Sequence, residues 1–361
     1  MVINSLQLKD FRNYSELELE LDKGVNILYG NNAQGKTNVL EALYVGCTSK
    51  SHKSVKDREL ISFGKEESHI KLGFEKKGII HRIDMHIKKN RAKGIALDGI
   101  PVRRASELLG AANVVFFSPE DLGIIKNGPA ERRRFLDVEL CQLNKIYTYN
   151  LIAYGKIIAQ KNALLKDISY GAAAEDILNV YNEQLVKYGT EIINIREEFI
   201  NSLCGIISSI HARITDGREN IAIKYEKNTS AEDFEKNLSY KRQNEIRQQM
   251  CLTGPHRDDI SFIINDIDIR HYGSQGQQRT ASLSLKMSEI ELVERITGDK
   301  PVLLLDDVLS ELDRNRQTML LNTVKDVQTV ITCTGIDDFV NNRFHMDKVF
   351  HVENGTVTGE N

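Results

Sequence analysis

At 361 residues, with 41% hydrophobic and 27% charged side chains, 5 Pro and no Trp, the chain has the composition of a globular protein of two or three units, and collagen-like, low-complexity and disordered classes are excluded. The formal charge of -3, from 48 Lys+Arg against 51 Asp+Glu, predicts no general affinity for polyanions, yet residues 50–93 hold 13 basic and 6 acidic side chains while residues 299–361 hold 6 and 11. The longest aliphatic run, residues 302–305, is far short of the ~20 apolar residues that span a bilayer. The opening MVINSLQLKDFRNY lacks a signal-peptide core, and the scattered Cys47, Cys141, Cys204, Cys251 and Cys333 form no C-x-x-C pair, so a reducing cytoplasm and no membrane contact are expected.

In chain order, Leu17, Leu19 and Leu21 alternate with acids and residues 25–29 (VNILY) form a buried run, both predicting strands. Residues 69–97, with Gly78 and Gly94 at turns, read as a meander, and VVFF (114–117) as a further strand. After Gly128-Pro129 the period becomes helical. One apolar stripe runs Leu136, Leu140, Leu143, Tyr147, Leu151, Tyr154, Ile158, and a second runs from Ile177 to Ile210 through Leu185, Ile192, Phe199 and Leu203. With a break at Tyr170-Gly171 they predict a two-helix hairpin of roughly 50–60 Å at ~1.5 Å per residue. The last hundred residues return to α/β alternation: helix near 277–296, strand 301–306, helix near 311–324, strand 327–333, and a hairpin at Asn354-Gly355. The predicted fold class is α/β, with a head built from residues 1–128 and 250–361, β-rich at its N-terminal end, and a helical arm and connector inserted over 129–249.

Residues 30–37 read GNNAQGKT, a full G-x-x-x-x-G-K-[ST] match between a buried strand and a helical pattern. Gly30 and Gly35 let the backbone curl so that the N–H groups of Asn31, Asn32, Ala33 and Gln34 cradle phosphate oxygens at a helix N-terminus. Lys36 is expected over the β and γ phosphates of ATP, and Thr37 on Mg²⁺. The second magnesium carboxylate is expected at the end of an apolar strand beside the loop, where VLLLDD places Asp306, and Asp307 stands where a general base polarises the attacking water.

GSQGQQR (273–279) precedes this strand and SELD (310–313) follows it, an order that resembles the signature helix, Walker B strand and D-loop of ABC-type ATPases. That resemblance implies that Ser274 and Gly276 contact the γ-phosphate held by a second subunit; by itself the serine reads as a helix cap. LKDFRNY (8–14), FSPEDLGIIKNGPAERRRFLD (117–137), TGPHRDD (253–259) and LLDDVLSELDRNRQTML (304–320) extend the resemblance over essentially the whole chain, to the RecF family of SMC-like DNA-repair ATPases. It implies that Arg12 and Asn13 lie near the nucleotide. It also implies an ATP-dependent homodimer on double-stranded or gapped DNA, a nucleoid-associated role in gap repair, recombination and the SOS response, and partners RecR and RecO in assisting RecA loading. Two departures, Pro119-Glu120-Asp121 in place of a magnesium-sensing Gln and Thr332-Cys333-Thr334 without a switch His, imply slow hydrolysis.

For DNA, the basic window offers Lys76, Lys77, Lys88, Lys89, Arg91 and Lys93, with Arg132, Arg133 and Arg134 as the next candidates. A solvated face explains the window as well as binding does, and it explains the three arginines better, with DNA or partner contact as the alternative. His256 and Arg257 read as a structural turn or as a nucleotide or interface contact, and the other histidines show no metal-ligand spacing. A transport ATPase and a scaffold holding ATP structurally are the competing functions; the arm and the basic window speak against the first, and turnover separates the second.

Overall fold

A computed structural model of the chain describes residues 1–53, 55–323, 326–336 and 345–360. The chain divides into two units, Met1–Asp121 with Leu285–Asn361, and Leu122–Ser284.

The first unit opens with β1 (Val2–Phe11), β2 (Tyr14–Glu20), β3 (Val25–Tyr29) and α1 (Lys36–Thr48). The meander follows as β4 (Glu67–Lys76), β5 (Ile79–Lys88) and β6 (Gly94–Leu97), then β7 (Ile100–Pro101) and β8 (Val114–Phe117). In β2, Leu17 and Leu19 are buried and Glu16, Glu18 and Glu20 exposed, the period-2 pattern of a sheet with one wet face. The antiparallel sheet has the order β2-β1-β4-β5-β6-β7.

The second unit is α2 (Leu122–Lys126), α3 (Pro129–Leu143), α4 (Lys145–Ser169), α5 (Ile177–Ile214), β9 (Ile221–Glu226), α6 (Phe234–Gln248), β10 (Asp259–Ile264), β11 (Ile267–Asp268) and α7 (Ile269–Tyr272). Helix α8 (Gln275–Thr297) begins here and ends in the first unit's sequence. The expected first arm helix is two helices. Asn144 leaves helical geometry at φ -138°, ψ 109° and caps α4 by accepting the Tyr147 N–H, so the stripe from Leu136 to Ile158 is cut where its apolar spacing gives no sign of a break. The second stripe is one 38-residue helix, α5.

The boundaries also move. β9, inside the span assigned to the arm, pairs antiparallel with β10, inside the span assigned to the head, over six residue pairs from Asp259↔Glu226 to Ile264↔Ile221. That ladder draws residues 250–284 into the second unit, and the divisions fall at 121/122 and 284/285.

The first unit closes with β12 (Val302–Asp306), α9 (Arg314–Thr323), β13 (Thr329–Cys333), β14 (Lys348–Glu353) and β15 (Thr356–Glu360). Val324, the expected end of α9, lies outside the described residues. The second sheet has the order β15-β14-β3-β13-β12-β8, parallel from β14 to β8. Its strands VNILY, VLLLD, TVITC and VVFF are buried nearly throughout, which is why they read as continuous apolar runs. The loop after β3 and the acids ending β12 emerge at the carboxyl edge of this sheet, where open parallel sheets bind ligands. The Walker B strand is one position removed from the expected one, because β13 lies between β3 and β12.

Candidate nucleotide site

The loop between β3 and α1 takes a backbone that side chains resist. Gly30 has φ 147°, and a Cβ there would lie 2.3 Å from the Val352 carbonyl oxygen; Gly35 has φ 117°, and a Cβ would meet Asn13 Nδ2 at 2.4 Å. Asn13 donates from Nδ2 to the Gln34 carbonyl at 3.0 Å and accepts from Asn38 Nδ2 at 2.7 Å. The β14–β15 turn holds the other side of the loop: the Asn354 N–H donates to Gln34 Oε1 (2.7 Å) and the Gly355 N–H to Gln34 O (3.2 Å). Gln34, expected only to offer its N–H, thus anchors the loop by its side chain and carbonyl.

Lys36 Nζ donates to the carbonyls of Gly30 (2.6 Å) and Asn31 (2.8 Å), arching over the loop. Burial lowers its pKa, opposed by the nearby charges of Asp307, Cys333 and Asp306. Thr37 Oγ1 donates to Asp306 Oδ1 at 2.8 Å across 269 residues of sequence. Adjacent ligands of an octahedral Mg²⁺ with ~2.1 Å bonds stand about 3 Å apart, so this hydroxyl and carboxylate fit one hard cation. Thr332 completes the arrangement: its Oγ1 donates to Asp306 Oδ1 at 2.8 Å and accepts the Asp307 N–H at 2.9 Å. Sequence reasoning noted only a missing His at this strand end; a hydroxyl on the strand beside an acid was the signal available. Asp307 itself has φ 53°, a left-handed conformation that Asp tolerates.

Arg12 is committed to the protein. Its Nε and Nη2 donate to the two oxygens of Glu41 on α1 (2.8 and 2.9 Å) and its Nη1 to the Glu59 carbonyl (2.8 Å). Burial favours a neutral Glu41, but hydrogen bonds from Arg12 and Ser51 overcome it and hold the carboxyl below its ordinary range. Arg12 therefore fastens α1, while Asn13 is the member of the pair that touches the loop. In the second unit, Ser274 Oγ accepts the Gln277 N–H (3.2 Å) and Gln277 Oε1 accepts the Ser274 N–H (3.0 Å), a reciprocal cap opening α8, with Gly276 in its first turn.

The family model of the RecF/RecN/SMC N-terminal domain matches residues 2–358. The DNA replication and repair protein RecF of Lachnospira eligens is 55% identical over 363 residues, covering 100% of both chains. That of Agathobacter rectalis is 56% identical over 357 residues, covering 99% of each. The chain belongs to the RecF family. A structure of the recombination mediator protein RecF-ATP in the RecFOR pathway superposes with a TM-score of 0.93 at 35% identity, covering 100% of this chain and 98% of that one. An SMC head bound to the C-terminal winged-helix domain of ScpA, at 16% identity and a TM-score of 0.59, shares the fold, an ABC-type ATPase head of α/β class.

Four of the six candidates of the basic window, Lys76, Lys88, Lys89 and Lys93, have partners within the chain. Lys76 Nζ donates to the carbonyls of Gly110 (2.7 Å) and Ala111 (3.1 Å) and to Asn113 Oδ1 (3.1 Å), and Lys93 holds the Ser49 carbonyl and Asp57 (3.0 Å). Lys88 pairs with Glu67 at 3.5 Å and Lys89 with Glu66 at 3.0 Å. Lys77, at the β4–β5 turn, and Arg91 are exposed. A charge count over sequence cannot distinguish an ammonium that closes a turn from one that faces solvent; here Lys76 and Lys93 are of the first kind.

The arginines opening α3 behave likewise. Arg132 is 2% exposed, bidentate to Asp259 (2.6 and 3.0 Å) and donating to the Asn127 carbonyl (2.6 Å), while Arg133 donates to the Asp258 carbonyl (2.8 Å) and Arg134 is half-buried. His256 is a structural residue: its Nδ1 accepts from Tyr154 OH (2.8 Å), its Nε2–H donates to the Cys251 carbonyl (3.1 Å), and burial pushes its pKa down to about 4. Arg257 donates to the same carbonyl (3.0 Å).

Proposed function

We propose that this chain is an ATP-dependent DNA-binding protein of recombinational gap repair, replication maintenance and the SOS response. ATP closes two copies into a homodimer on double-stranded or gapped DNA, and slow hydrolysis resets it. The observation that carries the reading is the convergence of Thr37 and Asp306 beside Lys36 at the carboxyl edge of a parallel sheet. Its support from outside the chain is that relatives matched over their whole length are named for DNA replication and repair, and that a recombination mediator protein, RecF, solved with ATP superposes on the chain.

The loop N–H groups and Lys36 bind and orient the phosphates; Thr37 and Asp306 hold Mg²⁺, which when bound neutralises charge on the transferred phosphoryl group. Asp307 accepts a proton from the attacking water. Ser274 and Gly276 of one copy reach the γ-phosphate on the other, so dimerisation and nucleotide binding are linked. RecO and RecR are the proposed partners in helping RecA onto DNA, in the cytoplasm and on the nucleoid, a reading supported by the place of a RecF relative in the RecFOR pathway.

Two variants test this. Lys36→Ala removes tight ATP binding, measured by calorimetry, and with it ATP-dependent dimerisation, measured by light scattering. Ser274→Arg keeps ATP binding within threefold (about 0.7 kcal/mol) but blocks dimerisation. A Ser274→Arg protein that dimerises normally with ATP overturns the shared site.

A further inference from the structure

Away from the loop, on the polar face of the antiparallel sheet, two histidines and a glutamate converge. Glu67 and His69 are i and i+2 on β4, and so share a face, and His86 on β5 is the register partner of His69. His86 Nε2 lies 3.0 Å from Glu67 Oε2 and His69 Nε2 lies 3.8 Å from Glu67 Oε1, with the imidazoles stacked at 4.0 Å between centroids and 21° between planes. The donor atoms of the three residues all fall within 4.8 Å of one another. The histidines edge a groove of about 720 Å³, also lined by Gln7, Lys9, Glu16 and Glu18, so the cluster is reachable from solvent.

We propose that Glu67, His69 and His86 form a site for a divalent transition-metal cation of the zinc class. Ligand chemistry sets the class: two imidazole nitrogens suit zinc, cobalt or nickel, whereas magnesium and calcium take oxygen. Tetrahedral zinc with bonds of ~2.0–2.1 Å needs donors about 3.3 Å apart; the three donors lie within 4.8 Å of one another, with His86 and His69 at 3.0 and 3.8 Å from different oxygens of Glu67, so side-chain rotation has to draw them together around an ion. Three protein ligands leave a fourth position for water. The bound ion ties β4 to β5 across the sheet. Lys88, 3.5 Å from Glu67, and Lys9, the register partner of His69, oppose the cation and set the affinity below that of a closed structural site. The site shares no residue with the nucleotide loop, so it stands independently of the proposed function.

The test is calorimetric titration of Zn²⁺ into the full-length, chelator-stripped protein in excess Mg²⁺, with Co²⁺ absorption reporting tetrahedral nitrogen and oxygen ligation. The expected result is one saturable Zn²⁺ equivalent, weakened at least about tenfold by His69→Gln and by His86→Gln. His81→Gln, which alters a histidine of the same sheet paired instead with Asp98, leaves it unchanged. The substituted positions are solvent-accessible and glutamine keeps a hydrogen-bonding side chain, so the melting curves check that the fold is retained. Absence of saturable Zn²⁺ binding, or wild-type affinity in both His69→Gln and His86→Gln, overturns the site.

Discussion

Asp307 sits at the turn out of β12 with φ 53°, its N–H held by Thr332, and its charge is the foremost of those that oppose the burial of Lys36. It is therefore both a candidate base and a counter-charge, and substitution separates the two. If it is the base, Asp307→Asn keeps ATP affinity and slows single-turnover phosphate release by about 100-fold or more, the usual contribution of a general base; an unchanged rate with altered ATP affinity makes it a counter-charge. His256 gives a pH prediction. Its folded pKa, about 4, lies below the ordinary 6.5, so the unfolded state takes up the proton first and stability falls as pH drops from about 6.5 toward 4. The wild type loses on the order of 2–3 kcal/mol by this route. His256→Gln does not, so the stability gap between them narrows on acidification, measured by urea denaturation on either side of the ordinary histidine value, at about pH 7.5 and about pH 5.

At the scale of elements, the second unit is organised by buried charge as much as by apolar stripes. Lys161 on α4 donates to Glu245 Oε2 on α6 at 2.7 Å, both side chains almost fully buried, while Glu245 Oε1 accepts the Leu252 N–H at 2.8 Å. On α5, Arg196 meets Asp137 (2.8 Å) on α3, the Pro255 carbonyl (2.7 Å) and Asp258 (3.3 Å). Such residues fix which helix face packs where, because a buried charge without its partner is costly. Lys161→Met should thus cost about 3–5 kcal/mol in urea denaturation by stranding Glu245. Lys161→Met with Glu245→Gln should recover part of this, since the Gln oxygen still accepts from Leu252. A cost for the single variant no larger than for a surface lysine would show that Glu245 finds another partner.

For the whole molecule, the proposed DNA affinity depends on which cations face solvent. Lys77 and Arg91 are exposed, while Lys76 closes three acceptors. Reversing Lys77 and Arg91 to Glu should weaken duplex binding and lower the slope of log affinity against log salt by about 0.9 per lost phosphate contact, leaving stability unchanged. Lys76→Glu should lower the melting temperature instead. An unaltered salt slope in the Lys77→Glu, Arg91→Glu protein would move the DNA face elsewhere.

What the sequence determined by itself is what depends on neighbours in the chain. The phosphate loop is eight consecutive residues whose backbone curl follows from Gly30 and Gly35, the strand ending in Asp306 announces itself by burial on both faces, and α5 by its period. The break at Asn144 was also local, a cap residue hidden inside an unbroken apolar spacing. Tertiary structure alone decided the rest: that Thr332 pins Asp306, that the Asn354-Gly355 turn holds Gln34, that β9 pairs with β10 and so moves the unit boundary, and that Arg132 and Lys76 face inward. Each is a contact between residues far apart in sequence, set by where the strands and helices carry the backbone, and a polar side chain has the same letter whether it meets water or a buried carbonyl.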